Sequence, residues 1–382
     1  MRKLLLALVF LALLVSGCAR TTGDAPGPEA VGEVPAGSGW ERFPDPPLNG
    51  RTGAVVQAVG DGVLVVGGWE FLCPPTADCA YPDLPLLSDG ALLDLATGQW
   101  TPAAEAPFGL RDGSSTAVGG AVYLLTGCRA GQSCDGAPEL LRYDTGADEW
   151  LELGPVPDPA SSYAHLVAVG ERLLVLSDSD ENGERPDHLY DLATDAWREL
   201  PDDPLPRVFD RWAVPDGDRL LVFGSPIPDD PSQSSSTKAV AALDLDSLAW
   251  TRLADAPGPG YQVWRSGDQA WVNPHFGSSG GGVLDLATDR WLPFPDPPTG
   301  LGDGDALDLA GIIGAHGATY EYADGLVRDT ERDRWLRVPP RPDPTAEGQG
   351  VTAVGDALVV FGGQRWNDSE GELVSDTWIW RP

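Results

Sequence analysis

The sequence predicts an all-β fold, a closed ring of seven four-stranded sheets, and three observations predict it. First, an aspartate is followed six positions later by a tryptophan six times over. The copies are Asp94/Trp100, Asp144/Trp150, Asp191/Trp197, Asp244/Trp250, Asp285/Trp291 and Asp329/Trp335. Three are near-identical, as DLATGQW, DLATDAW and DLATDRW. A motif recurring every 40 to 60 residues or so marks an array of supersecondary units. Second, an apolar run ending in small residues recurs seven times: VLVVGG, VYLLTG, RLLVLSD, RLLVFGS, QAWVNP, AGIIGA at 310–315 and ALVVFGG. Third, no helical period appears after the N-terminal apolar segment.

The elements of one unit follow from residues 51–104. RTGAVVQAVG alternates and is half apolar, which makes it a first strand. Asp61-Gly62 is a hairpin signal before the continuous apolar second strand, VLVV, and its glycine pair. A long loop holds two cysteines. ALLDL is a third strand, ATG a turn, and QWTPA a fourth strand. The tryptophans are expected to bury area between neighbouring sheets. The DLAT aspartates are expected to accept hydrogen bonds from their own turns.

The ends of the chain close the count. SDTWIWRP resembles a third strand, and no fourth strand follows before Pro382. Trp40, in GWERFPDPP, precedes any first strand. The N-terminal strand is therefore expected to complete the last sheet beside Trp378 and Trp380. Ring closure removes exposed sheet edges, whereas a solenoid would need capping repeats. The propeller is expected to span 39–382.

The first 38 residues set the compartment. Met1-Arg2-Lys3 is basic and LLLALVFLALLV is an apolar run of 12 residues, signal-peptide length and too short to span a bilayer. Val15-Ser16-Gly17-Cys18 resembles the lipobox of bacterial lipoproteins, which implies a signal peptide at 1–17 and lipidation of Cys18. Two acyl chains would anchor stably, so membrane contact is expected through the lipid alone. Residues 19–38 are rich in Gly, Pro, Ala and Glu, without aromatics, and are expected to form a disordered tether after Cys18.

The chain carries 58 acidic and 25 basic residues, a net charge of -33, so a nucleic-acid partner is excluded by repulsion. Four further cysteines fall as Cys73/Cys79 and Cys128/Cys134. An even number in an exported chain reads as disulfides. Three connectivities exist; the one with the two local bonds, Cys73–Cys79 and Cys128–Cys134, is favoured. The rival, a four-cysteine zinc site, normally uses closer spacing.

The repeat resembles the kelch repeat, in which a glycine pair ends strand two, an aspartate ends strand three and a tryptophan lies six residues beyond. Gly67-Gly68 and Gly362-Gly363 keep the pair; Thr126-Gly127, Ser177-Asp178 and Gly224-Ser225 degrade it. The resemblance covers 39–382 and implies a seven-bladed propeller closed by the N-terminal strand. Kelch propellers include both binding modules and enzymes, so fold does not fix function.

Candidate chemistry is sparse. Copper oxidases of the galactose oxidase type need two His ligands, one with an adjacent Tyr, and a Tyr cross-linked to Cys. This chain has His165, His188, His275 and His316, no Tyr-His dipeptide, and no cysteine left over if both disulfides form. It lacks a Gly-x-Ser-x-Gly elbow, a phosphate loop and an HExxH helix. The turns do not match the Asp boxes of sialidases. Residues 178–183 read Asp-Ser-Asp-Glu-Asn-Gly, like the first half of a calcium loop with Asp178, Asp180 and Asn182 as ligands. The twelfth position is Leu189 where a glutamate belongs; Asp187 is a substitute, and a solvated hairpin loop is the alternative. No other cofactor is expected.

Near the first-strand starts stand Arg51, Arg111, Arg207 and Arg211, Tyr163 with His165, and Tyr261 with Trp264. Guanidinium groups bind carboxylates bidentately and stack on rings. This rim is expected to bind an anionic or glycan-like ligand or a protein. The alternative is that the arginines pair with aspartates such as Asp112 and Asp210. A non-catalytic, extracytoplasmic binding module is the expected function. A carbohydrate-active propeller enzyme, epimerase- or oxidase-like, is the second reading.

Overall fold

The computed structural model describes residues 32–33, 39–74, 77, 79–80, 82–129, 138–157, 164–230, 232–274, 280–294, 315–316, 320–323, 326–331, 334–337, 341–342, 346–367 and 370–382. Among these, every regular element is a strand. The fold is all-β and propeller-like, built largely from four-stranded antiparallel sheets.

Sheet one comprises Val55–Val59, Gly62–Val66, Gly90–Asp94 and Gln99–Ala103. Sheet two comprises Ser114–Val118, Ala121–Leu125, Glu139–Asp144 and Glu149–Pro155. Sheet three runs through His165–Val169, Arg172–Leu176, His188–Asp191 and Ala196–Glu199. Sheet four runs through Val208–Asp216, Arg219–Pro226, Ala239–Asp244 and Trp250–Arg252. Sheet five has Gly260–Ser266, Gln269–Pro274, Gly282–Asp285 and Arg290–Leu292. Sheet six has Ala315–His316, Tyr320–Ala323, Leu326–Asp329 and Arg334–Arg337.

Sheet seven differs in its chain order. Gly350–Val354, Ala357–Phe361 and Thr377–Arg381 are its first three strands, but the fourth is Gly39–Arg42. Trp40 stands opposite Trp380, and Arg42 opposite Trp378, as the sequence required. An inset of Ala346–Glu347, Gln364–Asn367 and Glu370–Leu373 forms a separate three-stranded sheet, which the sequence reading lacked.

Two expectations need correction. The second strand of sheet six is Tyr320–Ala323, not 310–315, because Tyr320–Ala323 pairs with Leu326–Asp329 and Ala315 belongs to the first strand. Within the expected tether, Gly32–Glu33 pairs in parallel with Leu336 and Arg337. The remainder of 1–38, including Cys18, lies outside the described residues.

Second strands such as Gly62–Val66 and Ala121–Leu125 are buried almost throughout. A sheet covered on both faces needs apolar side chains in both directions, so these strands read as continuous apolar runs. Val55 and Leu64 of sheet one meet Leu124 and Leu141 of sheet two. Comparable apolar clusters join sheets two and three, three and four, four and five, six and seven, and seven and one. Between sheets five and six, the Arg328 guanidinium lies 3.9 Å from the centre of the Trp271 ring. First strands lie beside first strands at those same six apolar junctions.

The repeated Asp and Trp act at the outer edge. Oδ1 of Asp94 accepts from the amides of Ala96 and Thr97 at 2.8 and 3.0 Å, and Asp144 and Asp191 do the same in their turns. Asp244 and Asp285 accept from the amide and hydroxyl of Ser247 and Thr288. The turn needs a left-handed residue four positions after the aspartate. Gly98, Asp148, Asp195, Leu248 and Asp289 all have φ between 52 and 69°.

The tryptophan six positions after the aspartate reaches backward. Nε1 of Trp100, Trp150, Trp250 and Trp291 donates to the carbonyls of Pro44, Ala104, Pro201 and Ala254 at 2.8–3.0 Å. Each acceptor lies one or two residues beyond the fourth strand of the preceding sheet. These half-buried indoles therefore join neighbouring sheets by packing and by one directed bond.

Candidate functional site

The expected arginines are engaged with carboxylates and carbonyls. Arg51 is fully buried. Its Nη1 and Nη2 donate to the two carboxylate oxygens of Asp89 at 2.6 and 3.0 Å, Nη1 also to Gly67 O at 3.1 Å, and Nε to Asn49 O at 2.9 Å. Arg211 makes the corresponding tie in sheet three. It binds Asp187 bidentately at 2.9 and 2.7 Å, Asp203 at 2.7 Å and the Ser177 carbonyl at 2.9 Å. In both cases the guanidinium joins the carbonyl after a second strand to the carboxylate leading into the third. Burial pushes the Asp187 carboxyl up, against the pull of Arg211 and the Ser177 amide.

Arg111 pairs with Asp112, the partner weighed from the sequence, and its guanidinium lies 4.5 Å from the Trp69 ring centre. Arg207 is exposed and donates to the carbonyls of Asp180 and Glu181 at 2.5 and 3.5 Å. Arg51 and Arg111 thus serve sheets one and two, and Arg207 and Arg211 serve sheets three and four.

A mixed polar cluster forms where the first strands of sheets three and four begin. His165 opens the first strand of sheet three, and its ring stacks on Trp212 at 4.7 Å with 29° between planes. Trp212 is turned by a bulge in the first strand of sheet four, between Phe209 and Trp212, where Asp210 takes a φ of 48°. Bulges re-aim side chains in this way. Burial lowers the His165 pKa, with Lys238 and Arg211 acting in the same direction and Asp178 opposing. The imidazole is therefore neutral at pH 7 and offers both a donor and an acceptor.

Lys238 lies behind this cluster, fully buried just before the third strand of sheet four. Its Nζ donates to Gly260 O at 3.2 Å and to Ser225 Oγ at 3.4 Å. Burial lowers its pKa to about 8, against the charge of Asp210. Lys238 is the only lysine after Lys3. That scarcity is the one signal in the sequence that points to it.

Other expected residues separate from this cluster. Trp264 stacks on Trp271 at 6.2 Å. Its neighbour Val263 packs toward sheet four, so Trp264 faces the other side of sheet five. Only the backbone of Tyr261 is described, and Tyr163 lies outside the described residues. His188 is buried edge-on to Trp197 at 6.3 Å. His275 lies outside the described residues.

The Asp178–Gly183 segment folds as a docked turn. Asp180 is buried, its Oδ2 accepts from the Val208 amide at 2.8 Å, and its own amide donates to Val208 O at 2.8 Å. The Asp178 carbonyl accepts from the Arg211 amide at 3.0 Å, and Asn182 is exposed. Among the described residues no group of three or more His, Cys, Asp or Glu side chains is placed to hold a metal ion.

Cys73 and Cys79 form a disulfide in the loop between strands two and three of sheet one, as the local pairing required. Cys128 is also disulfide-bonded; Cys134 lies outside the described residues. Chemically, the His165–Trp212 pair joins two stacked aromatic rings, and His165 feels the opposing charges of Asp178 and Arg211. No family model and no curated protein matches this chain.

Proposed function

We propose that this chain is a kelch-type, seven-bladed propeller closed by its N-terminal strand. It is exported, lipid-anchored through Cys18, and binds a protein or glycan-like ligand without catalysis. The tryptophan tie supports the ring. Trp100 stands to Pro44 as Trp150 stands to Ala104, so Gly39–Arg42 has the position of a fourth strand relative to sheet one. The Cys73–Cys79 disulfide supports an oxidising compartment.

The observation that carries the binding reading is the His165 ring stacked on Trp212 at 4.7 Å. An aromatic face with a neutral donor and acceptor suits sugar rings and peptide side chains. It suits an anion less, because the buried guanidinium groups already hold carboxylates. The perturbed pKa values of His165 and Lys238 favour the second reading, a carbohydrate-active enzyme, since such shifts gather at active sites. Complete burial of Lys238 keeps it from direct contact with a substrate.

A glycan and peptide array probed with the 39–382 protein tests the binding reading. His165→Ala and Arg207→Ala should each weaken binding by about tenfold, the loss of roughly 1.4 kcal/mol, with the fold retained and, for the exposed Arg207, an unchanged melting temperature. Binding unaltered by both substitutions, or turnover of a bound sugar, would reject it.

A further inference from the structure

The loop closed by Cys73 and Cys79 is tied to a different sheet. Gln364 Nε2 donates to the Cys73 carbonyl at 2.7 Å, while Gln364 Oε1 accepts from the Cys73 amide at 2.9 Å. One side-chain amide thus satisfies both backbone groups of a residue 291 positions away, as a neighbouring strand would. Gln364 opens the middle strand of the inset, between the second and third strands of sheet seven.

The contact lies over the junction of sheets one and seven. Arg51 N donates to Val374 O at 3.3 Å, and Gly363 N donates to Arg51 O at 2.8 Å. Within the loop, Trp69 and Phe71 lie 4.6 Å apart, and Arg111 of the next sheet covers Trp69. The chain leaves Gly68 and returns at Leu87, whose amide donates to Gly68 O at 2.9 Å. A free excursion of that length would hold Cys73 poorly against Gln364. The disulfide closes a sequence separation of only 6 within it and removes much of that freedom.

We propose that the Cys73–Cys79 loop is a redox-dependent clasp across the junction of sheets one and seven. The disulfide keeps the Cys73 backbone in register for Gln364. A dithiol reductant breaks the S–S bond, delivers two electrons and two protons to leave thiols at Cys73 and Cys79, and itself becomes a disulfide. The freed loop then loses its two bonds to Gln364, and the inset of sheet seven loses its outer support. This reading is independent of any ligand on the His165 cluster.

Hydrogen exchange by mass spectrometry on the oxidised full chain tests it. Gln364→Ala should speed exchange at Gln364–Leu373 by about tenfold, equivalent to roughly 1.4 kcal/mol. Sheets three and four should stay unchanged. The Cys73→Ser/Cys79→Ser variant should do the same. Combining the two should add nothing, because both remove one coupled contact. If the serine variant does not fold, Cys79→Ala, which opens the same disulfide and leaves the one at Cys128 intact, gives the comparison with Gln364→Ala. An inset still protected in Gln364→Ala, effects that multiply, or a loss of protection spread evenly over all sheets would each overturn the clasp.

Discussion

Lys238 is the second of two lysines in the chain, and its side chain is wholly buried. A buried ammonium has lost its hydration, and the Ser225 and Gly260 oxygens and the charge of Asp210 offset only part of that cost. Its pKa is about 8 when folded, below the value of about 10.4 in an unfolded chain. The folded state therefore binds fewer protons between those values, and this group's contribution to stability rises as pH rises through the window. Below about pH 8 both states are charged and the slope vanishes, leaving the full cost present at neutral pH. Lys238→Met should raise stability at pH 7 by on the order of 1 kcal/mol. It should also flatten the rise between pH 8 and 10. Denaturant melts of both proteins across pH 6–10 measure this, and a variant less stable at pH 7 with an unaltered slope would show that Lys238 is net stabilising.

At the level of strands and turns, the tryptophan contributes both area and a bond. Trp150→Phe keeps most of the packing and deletes the bond from Nε1 to Ala104 O. It should cost about 1 kcal/mol, whereas Trp150→Ala should cost roughly 3–5 kcal/mol. Urea unfolding separates the two; equal losses would show that the directed bond carries the whole effect. Hydrogen bonds from their own turns hold the Asp94, Asp191, Asp244 and Asp285 carboxyls below their ordinary range. These bonds act fully above about pH 3.9 and are lost as pH falls through the lowered values. Such features are legible because each is local: the turn spans five residues, and its left-handed fifth position selects Gly, Asp or a tolerated Leu248. The second strands were legible because burial on both faces leaves a continuous apolar run. Sheet six departs from this pattern, because its second strand, Tyr-Glu-Tyr-Ala, alternates polar and aromatic residues instead. The arginine ties were not legible. Arg51 meets Asp89 and Arg211 meets Asp187 across separations of 38 and 24 residues, and a chain with 58 acidic residues offers each arginine many equal candidates. His165 was picked out by its neighbour Tyr163, but its actual partner, Trp212, comes from another sheet.

For the whole molecule, everything turns on the meeting of the two chain ends. Phe43 and Leu48 are buried at 6% and 7% exposure in the cluster that joins sheets seven and one, beside Val63, Leu93 and Ile379. Gly39–Arg42 covers the edge of Thr377–Arg381, and Arg42 Nη2 reaches Asp376 at 2.6 Å. The following Pro44 carbonyl accepts the Trp100 indole. Deleting 39–47 would remove that edge strand, Phe43 and the Trp100 acceptor together, and expose a sheet edge open to other chains. Each large apolar truncation costs about 3–5 kcal/mol, so the deletion should remove at least about 5 kcal/mol and promote association of the exposed edges. A domain of ordinary stability, about 5–15 kcal/mol, would then be near its limit. A restoring test sharpens this: supplying residues 39–47 as a fusion after Pro382, through a flexible linker, should recover the melting temperature, since strand order in space would be kept while chain order changes. Trp40 should again stand opposite Trp380. A truncated protein that melts with the parent, or a fusion that fails to restore it, would show that the N-terminal strand does not stabilise the sheet it edges.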